Sequence, residues 1–166
     1  MDDIKIKKLA KVHPIIRQNA IQFLKRLEEK GIEAGVFSGY RSFEQQQSLY
    51  DQGRNQTGEI IDKNKIITNA KPGFSLHNFG LAVDIVRLEN GNWTWEGDYD
   101  IFGEIGEKFG FEWGGDWAIK DKCHFQMTFE IPLYELREIY YEEGLEKVWE
   151  KIDDIVKKKN QKLNIN

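Results

Sequence analysis

Histidine occurs only three times in this chain, at positions 13, 77 and 124. Two of them keep unusual company. His77 lies in Ser75-Leu76-His77-Asn78-Phe79-Gly80-Leu81-Ala82-Val83-Asp84, and His124 lies in Asp121-Lys122-Cys123-His124-Phe125-Gln126. Two imidazoles and one carboxylate suit a catalytic Zn2+, which keeps its fourth position for water. One Asp against Zn2+ leaves a charge of about +1, which favours ionisation of the bound water and polarises a substrate carbonyl.

Spacing constrains how such a site is built. His77 and Asp84 are seven residues apart. On a continuous helix that separation is a rise of ~10 Å, too far for one ion with bonds of ~2 Å. On a continuous strand the two lie more than ~20 Å apart on opposite faces. A shared metal therefore requires a bend, which Asn78 and Gly80 can supply because both tolerate left-handed backbone. Asp84 then projects from the strand that follows, and His124 completes the site from a later strand.

Two further residues fit the same chemistry. Asp121 precedes His124 by three positions, and a turn after Gly114-Gly115-Asp116-Trp117 can bring both to one cleft. There Asp121 could act as general base on the metal water and then pass the proton to the leaving amine. Arg41, in Ser38-Gly39-Tyr40-Arg41-Ser42, sits between an expected strand and an expected helix, where it could stabilise an oxyanion or clamp a carboxylate. Plainer roles stand beside these. Asp84 also fits a turn or an ion pair, Arg41 a structural contact, and His13 a surface or hydrogen-bonded position. Trp113 and Trp117 fit a core or a cleft wall, with Trp117 the candidate for substrate binding. Cys123, if on a strand, faces away from His124 and packs as a small apolar residue. Spacing alone leaves these alternatives open.

The elements that must position these residues are legible in outline. Apolar residues at helical spacing predict a helix over 14–30, opened by Pro14 and stopped by Gly31. Ile32 to Phe37 reads as a strand, and Ser42 with Gln45 as a capping box opening a helix that ends near Gly53. Residues 54–75 form a polar loop of a length that is usually functional or mobile. Strands are expected over 81–88, 93–95, 111–113 and 123–128, with a hairpin at Asn90-Gly91 and a helix over 99–109. One or two amphipathic helices span 132–159, punctuated by Gly144. The lysine-rich run 157–162 reads as a solvated, fraying end. That order predicts an α+β fold, with a small, mainly antiparallel sheet and flanking helices.

Composition limits the rest. The chain has 166 residues, a net charge of −4 from 24 Lys+Arg and 28 Asp+Glu, and 40% apolar residues. That suits one domain with at most a short appendage, divided here as 1–130 and 131–166. Five Trp, six Tyr and ten Phe argue against disorder. Mild acidity argues against a nucleic-acid partner. No apolar run approaches ~18 residues, so no membrane insertion is expected. The charged start, Met1-Asp2-Asp3-Ile4-Lys5, does not read as a secretory signal. A single cysteine excludes an internal disulfide.

Taken together, Ser38-Gly39-Tyr40-Arg41-Ser42, Ser75-x-His77-x-x-Gly80-x-Ala82-x-Asp84 and Trp113-Gly114-Gly115-Asp116-Trp117 followed by Asp121-x-x-His124 resemble one family. It is the D-alanyl-D-alanine metallopeptidase superfamily, which includes VanX-type and VanY-type peptidases and the L-alanyl-D-glutamate endopeptidases of phages and bacilli. The Trp-Gly-Gly-Asp-Trp segment is most similar to the endopeptidase branch. The resemblance implies His77, Asp84 and His124 as Zn2+ ligands, Asp121 as catalytic base, Arg41 near the substrate carbonyl, and Ser75 in a supporting contact to substrate. Cys123 stands where the family usually has a small residue or proline. The implied fold is an α+β domain with zinc in a groove over the sheet. The implied reaction is hydrolysis of the peptidoglycan stem peptide between L-Ala and D-Glu by a monomer. A D-alanyl-D-alanine carboxypeptidase or dipeptidase with the same site is the nearest alternative, and a non-catalytic zinc-containing wall-binding domain a further one. Without a signal, such an enzyme would stay in the cytoplasm until a holin released it to the wall, if phage-encoded.

Overall fold

The computed structural model describes residues 3–163. Contacts divide the chain into two units, one running to Met127 and the other from Thr128. The first opens with a short helix, α1 (Asp3–Ile6), and a 3-10 turn over Lys7–Lys11. The lysines of this segment hid any amphipathic period, yet Leu9 and Val12 are buried anchors.

Helix α2 (Pro14–Glu29) has Pro14 in its first turn, and the buried His13 imidazole caps it by accepting from the Ile15 N–H at 3.3 Å. Ile16, Ala20, Phe23, Leu24 and Leu27 form its buried stripe. Gly31 turns the chain at φ +75°, and the Ile32 N–H donates back to the Leu27 carbonyl at 3.0 Å. Because Ile32 belongs to that cap, strand β1 spans Ala34–Ser38 rather than 32–37. Helix α3 (Phe43–Tyr50) carries the expected capping box: Ser42 Oγ accepts from Gln45 N at 3.2 Å, and Gln45 Oε1 accepts from Ser42 N at 2.9 Å.

The polar stretch after α3 has its own scaffold. Arg54 donates to the Thr68 carbonyl at 3.1 Å and to Asn69 Oδ1 at 2.8 Å, and stacks over the Tyr50 ring at 4.0 Å. A 3-10 turn over Leu76–Phe79 then leads into strand β2 (Ala82–Glu89). Strand β3 (Asn92–Thr94) returns through Asn90 and Gly91, at φ +51° and +77°, the positive pair that an Asn-Gly hairpin turn requires. Helix α4 (Asp100–Lys108) precedes strands β4 (Glu112–Trp113) and β5 (His124–Gln126).

The sheet runs β1-β2-β5-β4, with β3 pairing β2, and every pairing is antiparallel. Register sorts its faces. Val36 opposes Ile85 and Val83 opposes Phe125, and all four side chains are buried. This is the core face, where Phe125 meets Phe23 of α2 at 4.9 Å between ring centroids and Phe23 meets Phe102 of α4 at 6.3 Å. On the other face Asp84 opposes both Ser38 and His124. The expected α+β class with a small antiparallel sheet is borne out, and the candidate donors sit over the face that the core leaves free.

The second unit contains α5 (Leu133–Glu143) and α6 (Leu145–Leu163), separated by Gly144 at φ +89°. Leu136, Val148 and Ile152 are buried, and Lys151–Glu135 and Lys159–Glu130 pair at 2.9 Å each. The lysine-rich run is exposed as expected, and α6 continues through it to Leu163. No helix among the described residues is long and apolar enough to cross a membrane.

Candidate metal and catalytic centre

His77 sits on the 3-10 turn that precedes β2, and the bend required between it and Asp84 is present. Gly80 closes the turn in the left-handed region at φ +68°, and its N–H donates to the His77 carbonyl at 3.2 Å. The chain then enters β2, which presents Asp84 beside His124 of β5.

The three inner donor atoms form a nearly equilateral triangle. His77 Nε2 to Asp84 Oδ1 is 3.2 Å, His77 Nε2 to His124 Nδ1 is 3.3 Å, and His124 Nδ1 to Asp84 Oδ1 is 3.4 Å. Tetrahedral ligands at ~2.0–2.1 Å from one ion stand ~3.3 Å from each other, so the donors fit a tetrahedral ion with one position left over. Among the described residues these three form the one group of His, Cys, Asp or Glu side chains arranged to hold a metal ion.

The surrounding contacts select the tautomers. His77 Nδ1–H donates to the Gly39 carbonyl at 2.7 Å, which leaves Nε2 with its lone pair facing inward. His124 Nε2–H donates to Gln126 Oε1 at 3.0 Å, and Gln126 Nε2 in turn donates to Glu112 Oε2 at 3.2 Å, which leaves His124 Nδ1 facing inward. A metal-binding histidine characteristically has its outer nitrogen held this way.

Charge follows the same geometry. Burial alone would raise the Asp84 carboxyl, but the two histidines outweigh it and hold Asp84 far below the usual carboxylate range. Burial alone would lower His124, but the hydrogen bond and charge of Asp84, with Gln126 and Asp121, hold it above the usual histidine range.

Arg41 lies beside it. Its Nη2 is 3.6 Å from Asp84 Oδ2, the oxygen turned away from His77, and also donates to Ser38 Oγ at 3.2 Å. Its Nη1 donates to Gln46 Oε1 at 2.9 Å, and the fully buried Gln46 donates to the Ala70 carbonyl at 2.7 Å. Burial lowers the Arg41 pKa, and the charges of Asp84 and Asp121 oppose that shift. The turn carrying Arg41 is joined to that of His77: Arg41 N donates to the His77 carbonyl at 3.0 Å and Asn78 Nδ2 to the Arg41 carbonyl at 2.9 Å.

Asp121 reaches the cleft because the chain folds back. Its N–H donates to the Gly114 carbonyl at 2.9 Å, and its carbonyl accepts from His124 N at 3.2 Å. A Cβ on Gly114 would stand 2.5 Å from that Asp121 carbonyl oxygen, so only glycine permits the approach. Asp121 is solvent-accessible, yet partial desolvation and then the Asp84 charge raise its pKa, against the pull of His124 and His77. Trp117 is 39% exposed with its ring 5.0 Å from that of His124, so it forms a wall of the cleft. Ser75 stands half-buried before the His77 turn, and its hydroxyl does not cap that turn. Cys123 lies outside the donor triangle, and burial pushes its thiol up to about 11.

Two residues escaped the reading of the sequence. Gln126 was visible in principle, since strand alternation puts it on the same face as His124 two positions earlier. Gln46 carries no such mark, because one buried glutamine in a polar helix looks like its exposed neighbours.

Comparison with known proteins supplies the lineage. The VanY family, described as D-alanyl-D-alanine carboxypeptidase, matches residues 9–127. Peptidoglycan L-alanyl-D-glutamate endopeptidase CwlK of Bacillus subtilis (strain 168) is 38% identical over 128 residues, covering 70% of this chain and 73% of CwlK. Two solved structures share the fold. The vancomycin resistance D,D-pentapeptidase VanY of a VanB-type resistance cassette, a glutamate-to-alanine mutant in complex with Zn(II), aligns with a TM-score of 0.57 at 24% identity, over 82% of this chain and 83% of that one. VanYB in complex with D-alanine-D-alanine aligns with a TM-score of 0.58 at 24% identity, over 82% of this chain and 81% of that one. The family match spans the whole antiparallel sheet and every residue of the donor triangle, and on it the chain belongs to the VanY family of peptidases.

Proposed function

We propose that this protein is a zinc-dependent peptidoglycan hydrolase that cuts the stem peptide between L-alanine and D-glutamate. The observation that carries the reading is the donor triangle of His77, Asp84 and His124, sized for one tetrahedral ion with an open position. The likeness to CwlK supports the choice of bond. A zinc ion held by these three residues supplies Lewis-acid polarisation of the scissile carbonyl and lowers the pKa of the attacking water.

The chain's own groups perform the remaining tasks. Asp121 takes the proton from the attacking water at a carboxylate oxygen and delivers it to the leaving amine nitrogen. Arg41 donates an N–H to the carbonyl oxygen as charge accumulates there. Ser38 and Gln46 hold its guanidinium in place. Trp117 and Ser75 contact the bound peptide. All of these residues come from one chain and from the first unit, so a monomer suffices and the helices after residue 130 complete or append to the catalytic domain.

The family's description favours a second reading, removal of terminal D-alanine by the same residues. The test is hydrolysis of purified muropeptides by the wild type and by Asp121→Ala, each with its zinc content measured. The expected result is one zinc in both, with turnover lower by roughly 10²–10⁴-fold in the variant. Full turnover in the variant contradicts the role of Asp121, and released D-alanine as the sole product supports the second reading.

A further inference from the structure

We propose that Phe37, Trp93 and Trp95 form a saccharide platform beside the catalytic centre, which stacks on the sugar that carries the stem peptide and makes glycan-linked stems the preferred substrate. The inference rests on the endopeptidase reading and extends it to a further part of the substrate.

Register places the three rings. Leu88 opposes Trp93 on β3, on the sheet face that also carries Asp84, because Asp84 and Leu88 are four residues apart on one strand. Trp95 follows just beyond β3, whose last residue, Thr94, opposes Arg87. Phe37 is the extra residue of a bulge in β1, between Val36 opposite Ile85 and Ser38 opposite Asp84. A bulge re-aims its extra side chain, and here the Phe37 ring meets Trp93 at 5.5 Å and Trp95 at 5.1 Å between centroids. The platform therefore begins beside Ser38, which opposes Asp84 of the donor triangle.

The rings are held and open. Phe37 stands at 81° and 80° to the two indoles, the edge-to-face arrangement that aromatic pairs prefer. Gly35 makes room for Trp93, since a Cβ there would lie 3.0 Å from the end of the indole. Phe37 is 40% and Trp95 54% exposed, so both offer ring surface to solvent. Large aromatics grouped in the open mark a binding surface.

Chemistry selects the occupant. A pyranose presents a face of C–H bonds, slightly positive, which complements the negative face of an aromatic ring. In peptidoglycan the L-alanine that supplies the scissile carbonyl is attached directly to the lactyl group of such a sugar. The ring thus lies about two residue lengths, roughly 7 Å, from the reacting carbon. Phe37, next to the Ser38 that opposes Asp84, stands at about that reach and carries Trp95 against its ring. The stem beyond the scissile bond carries carboxylates, for which three uncharged rings offer nothing.

The test compares an N-acetylmuramyl-linked stem peptide with the same peptide carrying only an N-acetyl group, using zinc-loaded wild type, Trp95→Ala and Trp95→Tyr. We expect the wild type to favour the sugar-linked substrate by roughly tenfold in kcat/KM, mainly through KM. Trp95→Ala should lose that preference and keep its rate on the sugar-free peptide, and Trp95→Tyr should restore most of it. Equal kcat/KM for the two substrates in the wild type, or an intact preference in Trp95→Ala, overturns the proposal. Calorimetric binding of the two ligands is measured in parallel. If the wild type cleaves neither substrate, the endopeptidase reading fails alone. The platform then stands if binding favours the sugar-linked ligand in the wild type and not in Trp95→Ala, and falls if the two ligands bind equally.

Discussion

The triangle at the centre of this site is set by hydrogen bonds one step outside it. The Gly39 carbonyl and the Gln126 amide each hold the outer nitrogen of a histidine, so both inner nitrogens keep lone pairs for a cation. Replacing Gln126 by Leu should therefore weaken zinc binding by about 10–100-fold while the fold persists, as measured by competition with a chromogenic chelator. Unchanged affinity would remove Gln126 from the account. His124 adds a pH dependence. Its pKa is raised in the metal-free fold, so its contribution to stability is present below the unfolded value of about 6.5 and is lost as pH rises through the folded value. Zinc must displace the same proton, so its affinity moves the other way and rises with pH. The gap in Tm between zinc-loaded and metal-free protein should widen from about pH 6 to about pH 8. A gap that narrows would show that His124 does not carry the displaced proton.

Elements bring these residues together through turns as much as through strands. The left-handed Gly80 reverses the chain between His77 and Asp84, and the antiparallel register of β2 and β5 puts Asp84 opposite His124. Behind that face, Gly106 of α4 lets the helix close on Phe125, the neighbour of His124. A Cβ at position 106 would stand 2.7 Å from the Phe125 ring. Gly106→Ala should cost about 1–3 kcal/mol in stability, measured by urea unfolding, because neither the helix nor the buried ring can yield cheaply. A neutral substitution would mean that α4 is not seated on the sheet as described. Features of this local kind were legible in advance: the Gly80 bend, the Ser42–Gln45 capping box and the Asn90-Gly91 hairpin all follow from the preferences of one or two residues. What stayed hidden depends on tertiary neighbours. The opening segment shows no amphipathic stripe, yet it lies so close to Gly39 that a Cβ there would come 2.2 Å from the Lys8 carbonyl oxygen. Likewise nothing in the residues of β1 announces the bulge at Phe37, which exists only because Ser38 slips into register with Asp84.

For the whole molecule, the sheet has two faces with different tasks. One packs Phe23, Phe102 and Phe125 into a core that fixes the strands, and the other holds the donors, Arg41 and the exposed aromatics. All site residues belong to the first unit, the part that the VanY family match covers from residue 9 to 127. The most direct measurement is mass spectrometry of purified peptidoglycan after incubation with the zinc-loaded protein, with the chelated protein, and with chelated protein resupplied with zinc. New D-glutamate amino termini are expected with the loaded protein, none after chelation, and their return with zinc. Intact stems despite one bound zinc per chain, or cleavage that survives chelation, would contradict the proposed zinc-dependent hydrolysis.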